Sequence, residues 1–189
     1  MRKKFLQLID REIDHASEGV PAYIILKMNN LVDREMIAKL YEASGKGVKI
    51  KLIIRGMCGI VPGVKGLSEN IEAISIVDKF LEHARVFIFC NGGEPKYFIS
   101  SADWMTRNLD HRSEVAFPIY DKLLQQEIHT VMELQLGDNC KARIINQKQD
   151  NTYKKKSGKK VRAQEAIYEY LKQLHSRGGK KKLSKVRSH

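Results

Sequence analysis

Two residues of the chain have the types and the spacing to handle a phosphoryl group. His83 and Arg85, in "LEHARVFIFC", stand two apart at the mouth of an apolar run. On a strand that spacing points both side chains to one face. A guanidinium fork binds two phosphoryl oxygens at once, and an imidazole beside it can attack, donate or accept a proton. The plain alternative is a histidine and an arginine at a strand edge, facing solvent. The other five histidines, His15, His111, His129, His175 and His189, are scattered and suit surface or packing roles. No G-x-x-x-x-G-K-[ST] loop, H-E-x-x-H pair or C-x-x-C pair occurs, so these motifs name neither a P-loop nor a zinc centre.

A second stretch, "YFISSADWMTRNLDHRSEV" over residues 97–115, sets polar and charged residues behind an apolar strand and holds the single tryptophan. It reads either as an ordinary strand, turn and strand or as part of a phosphate-handling site.

The elements that must position these residues follow from periodicity. Phe5, Leu8, Ile9 and Ile13 recur as one face of a helix that Gly19 can end. "AYIILKM" reads as a buried strand. "LVDREMIAKLYEASGKG" reads as a helix capped by Asp33 or Asn30 and stopped by Gly45 or Gly47. "VKIKLII", "IEAISIV", "ARVFIFC", "YFIS" and "SEVAFPI" read as strands, with "NGGEPK" a tight turn supplied with positive φ by its glycines. "YDKLLQQEIHTVMELQLGD" is a long helix, "KARIINQ" a weak strand or loop, and "AQEAIYEYLKQLH" a short amphipathic helix. Helix and strand alternating in this way predict an α/β fold. Residues 1–150 form the expected domain, and 151–189 a basic linker, a short helix and a tail.

With 42% hydrophobic and 30% charged residues, the 189-residue chain is globular in class. No apolar run reaches the roughly 18 residues of a membrane helix, and the charged start "MRKKFLQLIDREIDHA" lacks a signal-peptide core. Three widely spaced cysteines point to a reduced, cytoplasmic protein rather than a disulfide framework. The net charge of +12 is uneven: 13 of the 34 basic but only 2 of the 22 acidic residues lie from Lys154 onward. A nearly neutral body with a basic end weakens a nucleic-acid reading without removing it.

His83-Ala84-Arg85, then Ser100-Ser101-Ala102-Asp103, then Glu114 resemble the H-x-K, G-S-x-N and later Glu of phospholipase D-like proteins. Arg85, Ser100 and Asp103 depart from the Lys, Gly and Asn of that pattern, and Cys90 stands where an Asp is usual. A longer resemblance runs from about Phe5 to about Ile145. "KMNNLVDREMIAKLYEASGKGVKI", "IIRGMCGIVPGVKGLSENI", "SIVDKFLEHARVFIF" and "NGGEPKYFISSADWMTRNLDHRSEVAFPI" together resemble the C-terminal region of bacterial polyphosphate kinases.

That resemblance implies a phospholipase D-like α/β/α sandwich with a mixed central sheet, the second of two such halves. It implies reversible transfer of the ATP γ-phosphate to polyphosphate through a phosphohistidine in a preceding domain, so that the 189 residues alone should be inactive. Arg55, in "IIRGMCG", resembles the family's ATP-phosphate-binding arginine, and His83 its second essential histidine. Arg55 would end a strand, where α/β sheets gather ligand groups, and Gly56 and Gly59 would let backbone approach an anion. His83 is thus the expected catalytic residue, oriented by Glu114 or by the Ser101/Asp103 turn. Arg85, Ser101, Asp103, Arg107, Asn108, Arg112 and Glu114 are expected in support, and Trp104 in the core. ATP with Mg²⁺ is the implied cofactor, its metal ligands outside these residues. The implied partners are ADP, polyphosphate, the remaining domains and a homo-oligomer of the full-length enzyme. The alternative is a phospholipase D-like nuclease or nucleic-acid-binding domain, built by pairing two copies of the His83 motif.

Overall fold

The computed structural model of the chain describes residues 1–155 and 158–186, with side chains up to 176. The basic end "SRGGKKKLSKVRSH", read above as a tail after a short helix, instead continues that helix to Val186, with its side chains almost wholly outside the described ones. Helix α1 (Arg2–Ser17) buries Phe5, Leu8, Ile9 and Ile13 as its periodicity predicts, and Gly19 leaves it at φ 73°. Strand β1 (Tyr23–Met28) is followed by α2 (Arg34–Gly45), where Asp33 is the N-cap and accepts the Met36 N–H at 3.1 Å. Strands β2 (Lys49–Ile54) and β3 (Ile71–Ile76) are parallel to β1.

From β4 (Arg85–Phe89) the topology turns antiparallel. The Asn91–Gly93 turn, with Gly92 and Gly93 at φ 68° and 100°, folds the chain back into β5 (Lys96–Ser100). A short helix α3 (Thr106–Asp110), not anticipated from the sequence, precedes β6 (Ala116–Ile119). Helix α4 (Lys122–Leu136), β7 (Ala142–Ile145) and α5 (Ala163–Val186) complete the chain. The seven strands lie in the order β6-β5-β4-β1-β2-β3-β7.

Alternation along the strands sends side chains to two cores. Ile24, Leu26, Met28, Ile50, Leu52, Phe87 and Phe89 meet α1 and α2 on one face. Ile25, Ile53, Ile74, Val86 and Ile88 meet Met132 of α4 and Ala163 of α5 on the other. The result is the expected α/β/α sandwich around a mixed sheet. Trp104 is a core residue, fully buried, its ring 5.4 Å from Phe87 and 5.8 Å from Phe5 between centroids. Its backbone also staples the turn after β5 to the β1–α2 connection, donating to Asn30 O and accepting from the Val32 and Asp33 amides.

The stretch read as a linker is in contact with the body. Asp138, fully buried after α4, accepts the amides of Cys140, Lys141 and Ala142 through one oxygen and that of Ala163 through the other, at 2.6–2.9 Å. One carboxylate therefore fixes both the turn from α4 into β7 and the start of α5.

Candidate active site

The parallel strands β1 and β2 end at Met28 and Ile54, and the side chains that could do chemistry gather just beyond them. Asn29 and Asn30 follow β1, and Arg55 follows β2. The antiparallel strands bring two more elements to this end. Lys27 pairs with Val86, so Arg85 opens β4 beside the exit of β1, and Arg85 in turn pairs with Ser100, the last residue of β5. The turn after β5 then delivers Asp103.

Asp103 is the centre of the arrangement. Its carboxylate, 6% exposed, accepts the Asn29 N–H at 2.9 Å, the Asn30 side-chain amide at 2.9 Å and Arg85 Nε at 3.0 Å. Burial alone would raise its pKa; the hydrogen bonds from Arg85, Asn30 and the Asn29 backbone outweigh burial and hold it below the ordinary carboxylate value. Arg55 joins the same cluster through Asn29, donating from Nε at 3.1 Å and Nη2 at 2.8 Å to Asn29 Oδ1. Arg85 Nη1 donates to the carbonyl of His83 at 2.8 Å. A continuous hydrogen-bonded path thus runs from Arg55 through Asn29, Asp103 and Arg85 to the backbone of His83.

His83 lies outside β4, in the loop that leads into it, and is exposed. It and Arg85 therefore do not form a same-face pair on a strand; the guanidinium turns instead to Asp103 and to the His83 carbonyl. Among the described residues nothing hydrogen-bonds the imidazole. The expected orienting groups are engaged elsewhere. Glu114 accepts from the Ser101 hydroxyl and, at 2.6 Å, from the Asn108 amide, and these two bonds hold its pKa below the ordinary value. This second knot closes the turn between β5 and β6, with Ser100 Oγ accepting the Ala102 amide and Ser101 Oγ the Val115 amide, both at 3.0 Å. Arg107 and Arg112, on α3 and just after it, are exposed, and among the described residues neither donates a hydrogen bond to the Asp103 cluster.

The geometry has sequence counterparts in known proteins. Residues 1–164 match the family described as polyphosphate kinase C-terminal domain 2. The chain is 51% identical over 182 residues to the polyphosphate kinase of Vibrio vulnificus, covering 96% of the chain but 26% of that protein. It is 49% identical over 174 residues to the polyphosphate kinase of Escherichia coli K12, covering 92% of the chain and 25% of the relative. The chain belongs to the polyphosphate kinase C-terminal domain family. It superposes on the crystal structure of polyphosphate kinase from Porphyromonas gingivalis with a TM-score of 0.91 at 47% identity, over 93% of its own length and 27% of that chain. The chain thus spans about a quarter of the length of the relatives it matches. NucT from Helicobacter pylori and the phospholipase D family member Nuc from Salmonella typhimurium share the fold, each with a TM-score of 0.51 at 12% and 13% identity.

Within this family fold, the cluster around Arg55 does not suit a Mg²⁺ ion. Its one carboxylate, Asp103, already has three donors on its two oxygens, and the remaining groups are amides and guanidinium ions. Phosphoryl oxygens suit it better. Two of the five N–H groups of Arg55 are bound to Asn29, which leaves three free among the described residues, in the planar fork that matches phosphate. Gly56 lets this loop close: a Cβ there would stand 2.6 Å from Asn30 Oδ1 and 3.0 Å from Asn29 O. Asn29 was not singled out from the sequence, and Asn30 only as an alternative cap for α2, a role that Asp33 takes. The signal was present, since two amides directly after a buried strand occupy the end where α/β sheets collect ligand groups.

Proposed function

We propose that this chain is the C-terminal catalytic half-site of a polyphosphate kinase, which moves the γ-phosphate of ATP reversibly to polyphosphate. The nucleophilic histidine of that reaction would sit in a preceding domain absent from this sequence. The observation that supports the reading is the path Arg55–Asn29–Asp103–Arg85–His83, which ties an anion-binding fork to the backbone of an exposed histidine.

In this reading the free N–H groups of Arg55 hold oxygens of the transferred phosphoryl group and offset the charge that builds on them. Asn29 fixes the fork before substrate arrives, so little reorganisation is needed at the moment of transfer. His83, with an unpaired ring, donates a hydrogen bond or a proton to an oxygen of the same group from the opposite side. Arg85 supplies a second positive charge while Asp103 keeps its guanidinium in place. Ser101, Asn108 and Glu114 hold the turn that carries Asp103, and Arg107 and Arg112 add positive charge at its rim. ATP or ADP and polyphosphate are the substrates, and Mg²⁺ is held by groups of the missing domains. The working enzyme is a cytoplasmic homo-oligomer; among the described residues no helix is long and apolar enough to cross a membrane.

The test is turnover by the isolated 189 residues. They are expected to bind ATP or polyphosphate weakly by calorimetry and to form no polyphosphate. Polyphosphate synthesis by the isolated chain would refute the placement of the nucleophile in another domain.

A further inference from the structure

The loop that carries His83, residues 77–84 between β3 and β4, contains no helix or strand. Its large apolar side chains face solvent: Val77 is 69% exposed, Phe80 61% and Leu81 71%. Burial of its own side chains therefore cannot be what sets its course. Polar groups from the α4/α5 face of the sheet do so instead. Arg162, just before α5, grips Asp78 through two parallel bonds of 2.8 and 2.7 Å, and the Asp78 side chain is 3% exposed beneath it. Gln164, on the first turn of α5, accepts the Phe80 N–H and donates to the Phe80 carbonyl, both at 2.8 Å, and to Glu82 at 3.0 Å. Lys27, a buried amine in the middle of the sheet, donates to the other oxygen of Glu82, the residue before His83, and at 2.5 Å to Gln135 of α4.

We propose that Lys27 and Arg162 are positioning residues for His83, gripping the two ends of its loop and so setting where the exposed imidazole stands. The inference rests on the catalytic reading of His83 given above. A bare loop with three exposed apolar side chains would sample many positions. Here Asp78 and Glu82, four residues apart and on either side of Phe80, are both tied down. Arg85 holds the His83 carbonyl from the other side. The imidazole is free to meet a substrate while its backbone is not free to wander. The burial of Lys27 agrees with such a role. Desolvation pulls its pKa below the ordinary lysine value despite the opposing pull of Glu82, a cost that a purely stabilising design would avoid with an apolar residue.

The experiment has two arms. In the 189-residue chain, amide exchange of the 78–84 peptide is followed by mass spectrometry for Lys27→Met and Arg162→Gln, with Lys39→Gln, which breaks a surface pair to Asp10 and Glu42, as the control. Exchange in the loop should rise about tenfold in the two test variants, with β1 and β2 unchanged. In a polyphosphate kinase that carries this chain, both variants should lose about tenfold to a hundredfold in kcat with KM for ATP within about twofold. Arg162→Lys, which keeps the charge but not the fork, should recover part of the loss. If His83→Ala abolishes activity while both variants keep parental kcat and loop exchange, the inference is overturned and the catalytic reading stands. If His83→Ala retains activity, both fall. Should Lys27→Met fail to fold, Arg162→Gln decides alone, since that side chain is 32% exposed.

Discussion

The two halves of the site are built in opposite ways. Around Asp103 every partner is local to the strand ends, the carboxylate is buried, and three donors lie within 3.0 Å of it. Around His83 the side chain is exposed and, among the described residues, unpaired, and the loop is held by Arg162 and Gln164, 84 positions beyond their partners, and by Lys27, 55 positions before Glu82. The arginine half is preorganised, as a group that stabilises developing charge must be. The histidine half presents its ring outward, which in the proposed function leaves room for a group brought by another domain. Such a division suits a half-site better than a complete one.

The strongest way to break this comparison is to remove the two side chains it contrasts. In a polyphosphate kinase that carries this domain, Arg55→Ala and His83→Ala are each expected to lower kcat by about a hundredfold to a thousandfold. Arg55→Ala should also weaken ATP binding, because the fork acts on the bound substrate, whereas His83→Ala should leave it largely intact. Steady-state rates and calorimetry on the two variants separate these outcomes. Near-normal turnover by either variant would sink the site assignment.

Stability should divide the halves in the reverse order. Asp103→Ala removes the acceptor of the half-buried Arg85 Nε and of two amides, and should cost about 3 kcal/mol in urea denaturation. His83→Ala, at an exposed and unpaired position, should cost almost nothing. The acid limb carries the same signature. Asp103, Asp33 and Asp78 all have folded pKa values below the unfolded 3.8. Their contribution is complete above 3.8 and is lost as pH falls through the folded values. Asp103→Asn should therefore make stability less sensitive to pH in that window.

A smaller effect is expected where the arginine half closes on itself. Gly56→Ala would bring a methyl group against Asn30 Oδ1 and the Asn29 carbonyl. Asn30 accepts the Met57 N–H and donates to Asp103, so its displacement loosens the cluster. A loss of about 1–3 kcal/mol, read as a lower melting temperature, is the expected outcome.

The same contrast explains what the sequence could reveal. Helix α1, the Asp33 cap, the Asn-Gly-Gly turn and the alternating strands follow from local pattern, whereas the sandwich with its two-faced core was implied by the family resemblance. The strand order does not follow from local pattern, because β7 pairs with β3 across some 70 residues and no local signal names its partner. Helix α3 was hidden because five polar and apolar residues between two strands resemble a turn. Within the site, the S-S-A-D turn was visible because it resembles a family motif, although the Asp103 partners Asn29 and Asn30 lie 74 and 73 residues away. The supports of the His83 loop were not visible. Lys27 sits in an apolar run that reads simply as a strand, while its partners Glu82 and Gln135 lie 55 and 108 residues away.

Lys27 also supplies the smallest and most diagnostic of the predictions. Its folded pKa lies below the unfolded 10.5 because burial outweighs the attraction of Glu82, with the charge of Arg55 adding to the burial effect. Between those two values the unfolded chain binds more protons than the folded one, so Lys27 makes stability rise with pH. Lys27→Met should flatten that slope when urea midpoints are followed as pH is raised toward 10.5. Its effect at neutral pH should be slight: the methionine removes a desolvation cost, and Glu82, a quarter exposed, keeps its bond from Gln164. A variant that is as stable as the parent yet exchanges faster in residues 78–84 would show that this lysine serves the placement of His83 rather than the fold. A variant that loses stability and loop order together would assign it to the core.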